Sequence, residues 1–201
     1  MTESTLALAT RTFEVRIHGR GGQGAVSAAE LLSIAAFDSA RVAQAFPSFG
    51  SERSGAPVAA FCRISDRPIR SREPIVAPDA VIVLDPTLLT AVDVFQGLKL
   101  GGVALVNSVK APEELGLGDL TESRRAAHVM CVPATEIAVR QIGRPVPNGV
   151  MLGGFSALTQ VVPLSGIQQA LMDRFPGRIG TANAAAAGEA FEIVTNKLRD
   201  H

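Results

Sequence analysis

Residues 14–37 read EVRIHGRGGQGAVSAAELLSIAAF, and six of those positions, 19–24, hold four glycines, an arginine and a glutamine. To the left of this run, Phe13 to His18 alternates apolar and polar side chains, the period-2 pattern of a half-buried strand. To its right, Ala25 to Phe37 is rich in Ala and Leu with Glu30 as its one charge, the pattern of a buried helix. Strand, glycine loop and helix in that order form the unit from which layered α/β domains are built.

The rest of the chain repeats the alternation of short apolar strands and helices. Strands are predicted over 41–46, 58–64, 80–84, 102–107 and 129–132. Helices are predicted over 86–95, 134–141, 165–175 and 182–198, with one more opened by Asn148 as N-cap and running through Gln160. Residues 110–126 are the most polar stretch and read as a surface excursion. The expected fold class is α/β: a single three-layer domain over 13–201, with a mostly parallel or mixed central sheet and a Rossmann-like glycine loop after the first strand. Residues 1–12 are expected to form a flexible arm.

Composition narrows the function classes. The 201 residues carry 19 Lys plus Arg against 19 Asp plus Glu, so no global field draws the chain to nucleic acid or to an anionic membrane. With no Trp or Tyr and nine Phe, it has little material for a base-stacking surface. No run approaches the roughly 20 apolar residues that span a bilayer, and the first dozen residues lack the pattern of a secretory signal. A soluble, cytoplasmic protein is expected. Cys62 and Cys131 form no CxxC and have no nearby histidine, which argues against a Cys-ligated zinc or iron–sulfur site; both read as buried thiols.

Gly19, Gly21 and Gly24 fall on the G-x-G-x-x-G spacing. Glycines let the backbone approach a ligand, free amides at a helix N-terminus favour an anion, and Arg20, Gly22 and Gln23 add a guanidinium fork, an amide and a neutral donor. The same pattern also serves as a plain tight turn before a helix. A dinucleotide site calls for an acid about 20 residues further on to grip the ribose, and Gln44 stands there instead. In the otherwise uncharged loop 44–57, Glu52 and Arg53 sit between glycines, either as an exposed ion pair or as a contact presented to a ligand or partner. His18 reads as a hydrogen-bonded strand-end residue, Asp85 as a helix-start residue, and Asn107 and Asn148 as end caps with ligand contact as the alternative. No nucleophile elbow or acid/base pair is evident.

The blocks RIHGRGGQGAVSAAELLSIAA (16–36), FPSFGSERSGAPVAAFCRIS (46–65), PIR ending at Arg70, DAVIVLDPTLL (79–89), GGVALVNS (101–108), PATEIAVRQIG (133–143) and PNGVMLGGFSAL (147–158) resemble, in order, the gamma subunit of the 2-oxoacid:ferredoxin oxidoreductases, of which the pyruvate enzyme is the best-known member. Ser54 departs from the second arginine that many relatives carry in an ERRG-like block.

The resemblance implies a complex in which partner subunits hold thiamine diphosphate, Mg and [4Fe-4S] clusters, the 2-oxoacid is oxidatively decarboxylated, and coenzyme A takes the acyl group. It implies alpha, beta and delta-type partner subunits, and ferredoxin or a NAD-reducing subunit as acceptor. The gamma chain itself is expected to be inactive when isolated. It is expected to help cover and bind coenzyme A through Gly19, Arg20, Gly21, Gly22, Gln23, Gly24, Glu52, Arg53 and Asn148, with no catalytic or metal-binding residue of its own. The rival readings are a stand-alone NAD-dependent dehydrogenase and a pure scaffold whose glycine loop touches only a partner chain.

Overall fold

The computed structural model describes residues 12–48, 54–122 and 126–200; the expected arm, apart from Thr12, lies outside them, as do Glu52 and Arg53. Six strands lie among the described residues: β1 (Phe13–Arg20), β2 (Val42–Pro47), β3 (Pro57–Ser65), β4 (Ala80–Val83), β5 (Gly102–Asn107) and β6 (Ala126–Val132). They form one sheet in the order β2-β3-β1-β4-β5-β6. β1, β4, β5 and β6 run parallel, while β3 pairs antiparallel with both β1 and β2. The sheet is therefore mixed, with its parallel part built from the alternating strand–helix sequence and its antiparallel part from 42–65.

Alternation along the strands separates two faces. Val15, Ile17, Ala80, Ile82 and Leu105 point into a large cluster shared with the helices. Those helices are α1 (Ala25–Asp38), α3 (Ala134–Ile142), α4 (Asn148–Thr159), α5 (Leu164–Arg174) and α6 (Arg178–Arg199); α2 (Gly118–Glu122) is a short turn elsewhere. Val81, Val83, Ala104 and Val106 point the other way, into a smaller cluster closed by Leu88, Val94, Phe95, Leu98 and Leu117. Helices, sheet and a thin cover of turns make the three layers. No helix among the described residues is long and apolar enough to cross a membrane.

Central among the helices is α4, buried from Asn148 to Ala157. Its sequence NGVMLGGFSALT is apolar all round, the signature of a helix with neighbours on every side. Pro147 occupies the N-cap, so Asn148 is the first helical residue rather than the cap predicted above.

The helix predicted over 86–95 is instead a single 3-10 turn, Pro86–Thr90. The reason lies in Arg16 of β1, which is 8% exposed. Its Nη2 donates to the carbonyls of Val94 at 3.1 Å and Gln96 at 2.5 Å, and its Nη1 to Ile75 O at 3.4 Å. A helix continued past Thr90 would turn the carbonyls of Val94 and Gln96 along its own axis, away from the guanidinium. Both cysteines are buried as expected, and burial pushes the Cys131 thiol up to about 11 and the Cys62 thiol higher still.

Candidate functional site

The chain leaves the carboxyl end of β1 for α1 on the helical face, and leaves the adjacent parallel strand β4 for the 3-10 turn on the other face. Two neighbouring parallel strands whose connections diverge in this way leave a crevice at their carboxyl ends, where α/β sheets hold ligands. The glycine loop forms one wall of that crevice and Asp85–Thr87 the other.

Gly22 and Gly24 have φ of 96° and 81°, a region that side-chain-bearing residues rarely occupy. Gly24 is needed twice over, because a Cβ there would sit 2.5 Å from Asn148 Nδ2. Asn148, 5% exposed, thus lies directly beneath the loop, with its Nδ2 3.5 Å from Gly24 O and its Oδ1 accepting from Gly149 N at 2.8 Å. The loop is also stitched to the chain entering β3: Gly21 N donates to Ala56 O at 2.9 Å, and Gly55 N to Gly21 O at 3.2 Å. This places the approach to β3, the segment that follows Arg53, against the glycine loop.

Arg20 reaches across the crevice. Its Nε and Nη2 donate to Thr87 Oγ1 at 3.1 and 2.8 Å, its Nη1 donates to Gly55 O at 3.1 Å, and Nε lies 3.4 Å from Asp85 Oδ2. Gln23 folds back, with Oε1 accepting from Arg20 N at 2.7 Å and Nε2 donating to Asp85 Oδ2 at 2.7 Å. Asp85 in turn accepts from Thr87 N and Thr87 Oγ1 through Oδ1. Burial by itself would raise the Asp85 carboxyl, but hydrogen bonds from Thr87 and Gln23 and the charge of Arg20 outweigh it and leave it below its ordinary value.

Three of the five guanidinium N–H groups of Arg20 are thereby used, and two have no partner among the described residues. The backbone amides of Gly22, Gly24 and Ala25 likewise have no acceptor among the described residues. Unpaired amides at the start of α1 beside a half-free guanidinium form an arrangement that accepts an anion. Next to Thr87 a groove of about 570 Å³ continues over the ends of β5 and β6, between Pro86, Val109, Leu115 and Thr135. Asn107 forms its floor, with Nδ2 donating to Leu84 O and Thr135 Oγ1 and Oδ1 accepting from Thr135 N. The sequence reading of Asn107 as an end cap agrees with this.

Among the described residues, the position where a dinucleotide site would carry its ribose acid is kept from the loop for a topological reason. The strand that follows α1, β2, lies at the sheet edge with β3 between it and β1. Gln44 on β2 faces Arg63 of β3, far from a ligand seated at the glycine loop. Among the described residues no group of three or more His, Cys, Asp or Glu is arranged to hold a metal ion.

His18 precedes the loop and accepts from Arg16 Nε through Nε2 at 3.0 Å, which requires the ring to be neutral. Burial, reinforced by the Arg16 charge, lowers its pKa to about 4. The unfolded chain takes up a proton near pH 6.5 and the folded chain only near 4, so stability is complete above about 6.5 and falls as pH drops through that window. The expected loss is about 2–3 kcal/mol. Unfolding midpoints measured from pH 7.5 to 4 in the wild type and in His18→Gln check it, since the variant should lose this part of the slope.

Comparison with known proteins gives the class. The family model of pyruvate ferredoxin/flavodoxin oxidoreductase matches residues 14–193, and the chain belongs to that family. Within it, the match is to gamma subunits. The chain is 49% identical over 179 residues, 89% of its length and 95% of the relative's, to the pyruvate/ketoisovalerate oxidoreductases common subunit gamma of Thermococcus litoralis. The crystal structure of pyruvate oxidoreductase subunit PORC from Thermotoga maritima superposes with a TM-score of 0.75 at 38% identity, covering 90% of this chain and 96% of that one. The same fold recurs, at 16% identity and a TM-score of 0.68, over 93% of this chain and 31% of a chain of the Magnetococcus marinus 2-oxoglutarate:ferredoxin oxidoreductase, whose structure holds 2-oxoglutarate, coenzyme A and succinyl-CoA. The protein is thus a gamma-type subunit of a multi-subunit 2-oxoacid oxidoreductase, in a family of thiamine-diphosphate and iron–sulfur dependent complexes.

Of the residues singled out in the sequence, Gly19 to Gly24 and Asn148 come together in one cluster, and Glu52 and Arg53 fall outside the described residues. Asp85 caps the 3-10 turn, as its reading as a helix-start residue had it, and also faces Gln23 and Arg20, whereas Thr87 drew no reading from the sequence. Their signal was the LDPT tetrad, an acid at the carboxyl end of a buried strand, the place where α/β sheets put their ligand contacts.

Proposed function

We propose that this subunit helps bind and cover coenzyme A in the assembled oxidoreductase, with a phosphate of the coenzyme received by Arg20 and the amides of Gly22, Gly24 and Ala25. The observation that carries this reading is the pair of Arg20 N–H groups that have no partner among the described residues, beside amides of which the same holds, at the switch point of the sheet. The presence of coenzyme A in the Magnetococcus marinus structure, which contains the same fold, supports it. Gly19 lets β1 close against Leu84, Gly21 ties the loop to β3, Gln23 braces it from within, and Asn148 supports Gly24 from below. Glu52 and Arg53, outside the described residues, are assigned to coenzyme A binding by the family resemblance of their SERSGAP block alone. Residues 13–201 act as one unit.

Thiamine diphosphate, Mg and the [4Fe-4S] clusters supply decarboxylation and electron transfer from alpha, beta and delta-type partners, with ferredoxin or a NAD-reducing subunit as acceptor and the cytoplasm as the compartment. The role of this chain is to orient the acyl acceptor and to shield it from water.

The test is Arg20→Ala in the reassembled complex. Loss of a charge-assisted contact to a phosphate is worth about 1.5–3 kcal/mol, which raises the KM for coenzyme A roughly 10- to 100-fold while the complex stays intact on sizing. A complex that dissociates with the KM unchanged would favour the scaffold reading.

A further inference from the structure

We propose that Asp85 is a positioning residue for coenzyme A binding: with Thr87 as relay, it holds the Arg20 guanidinium across the switch-point crevice so that the two N–H groups without a partner among the described residues meet the phosphate. The inference rests on the coenzyme A reading above and adds the group that makes it specific.

The geometry has three parts. Arg20 is half-buried, with 30% of its side chain exposed, whereas the Asp85 side chain is 14% exposed and anchored at the end of β4. The rigid partner is therefore the carboxylate. The hydroxyl of Thr87 donates to Asp85 Oδ1 at 2.7 Å, which turns its lone pairs toward Arg20 and fixes it as the acceptor of both Nε and Nη2. Finally, Asp85 Oδ2 takes Gln23 Nε2, and Gln23 Oε1 takes Arg20 N, so one carboxylate fixes both the side chain and the backbone of the loop residue that bears the charge. An arginine on a flexible stem loses side-chain entropy when it orders on a ligand. Here that ordering is already complete before a ligand arrives.

A second role follows from the charge. Asp85 neutralises part of Arg20, so the site selects ligands able to use the outward N–H groups and the loop amides together, as a phosphate oxygen can, over a lone carboxylate.

The test is a double-mutant cycle in the reassembled complex, with KM for coenzyme A and kcat read separately. Asp85→Ala is expected to raise the KM about tenfold, the effect of misplacing one charge-assisted contact, with kcat at saturating coenzyme A unchanged. In the Arg20→Ala background the same substitution should change the KM by less than about twofold, because its effect passes through Arg20. Asp85→Asn keeps the shape and one acceptor oxygen and should fall between wild type and Asp85→Ala. This variant also keeps the test open if Asp85→Ala does not assemble. Additive effects in the cycle, an unchanged KM in Asp85→Ala, or a fall in kcat as large as the rise in KM would overturn the proposal. If Arg20→Ala itself leaves the KM unchanged, the coenzyme A reading fails along with it; if Arg20→Ala raises the KM and Asp85→Ala does not, only the role of Asp85 fails.

Discussion

Gly153→Ala is expected to lower the unfolding free energy by about 3 kcal/mol, a large share of the roughly 5–15 kcal/mol that holds an ordinary domain folded. In the middle of α4, a Cβ at this position would press into the backbone of α6, against the carbonyl oxygen, carbonyl carbon and Cα of Ala187. Backbone cannot rotate aside as a side chain does, so the two helices must separate, and they form the densest contact among the helices. The gain of helix propensity from Gly to Ala, about 1 kcal/mol, does not offset this. Neighbouring Gly154 supplies the control. Its added Cβ would meet only side-chain carbons of Leu105, Val132 and Val194, at 3.2–3.4 Å, and Gly154→Ala should cost less than about 1 kcal/mol. Equilibrium denaturation of both variants checks the pair, and equal midpoints would refute the backbone-contact account.

Arg16→Met is expected to cost about 3–5 kcal/mol. Methionine fills comparable space but strands the carbonyls of Ile75, Val94 and Gln96 and the Nε2 of His18, all of which Arg16 now serves. Burial lowers the Arg16 pKa, and the charge of Asp93 opposes that shift. Arg16→Lys should recover only part of the loss, since an ammonium brings three donors where the guanidinium brings five. The variant has a second signature: without the neighbouring charge the His18 pKa moves up from about 4 toward its ordinary value, which titration of its ring protons would show. A Met variant as stable as the wild type would mean that the 75–96 segment holds its place without Arg16.

Much of the fold was legible in the sequence. The alternation F-E-V-R-I-H, the glycine run and the alanine-rich stretch after it specify β1, the loop and α1 from neighbours in the chain, and the structure places them at Phe13–Arg20 and Ala25–Asp38. Gly102–Asn107 was read with the bounds that β5 has. Errors fell where a distant residue decides a local outcome. Helix 86–95 gave way to a 3-10 turn because Arg16, some 80 positions earlier, claims the carbonyls of Val94 and Gln96. Asn148 lost its place as N-cap to Pro147 and became the support under Gly24.

By itself, then, the sequence determined the elements that depend on local periodicity and turn chemistry, the layered α/β class, and, through its ordered motif blocks, the family. Tertiary structure alone decided that β3 inserts antiparallel between β1 and β2, which removes Gln44 from the loop and with it the dinucleotide geometry. It also decided that Arg20 is held by Asp85 and Thr87, more than 60 residues away. The physical reason is the same in both cases. Strand partners and cross-crevice hydrogen bonds are chosen by long-range packing among several apolar strands of similar composition, and no local pattern encodes which of them will meet.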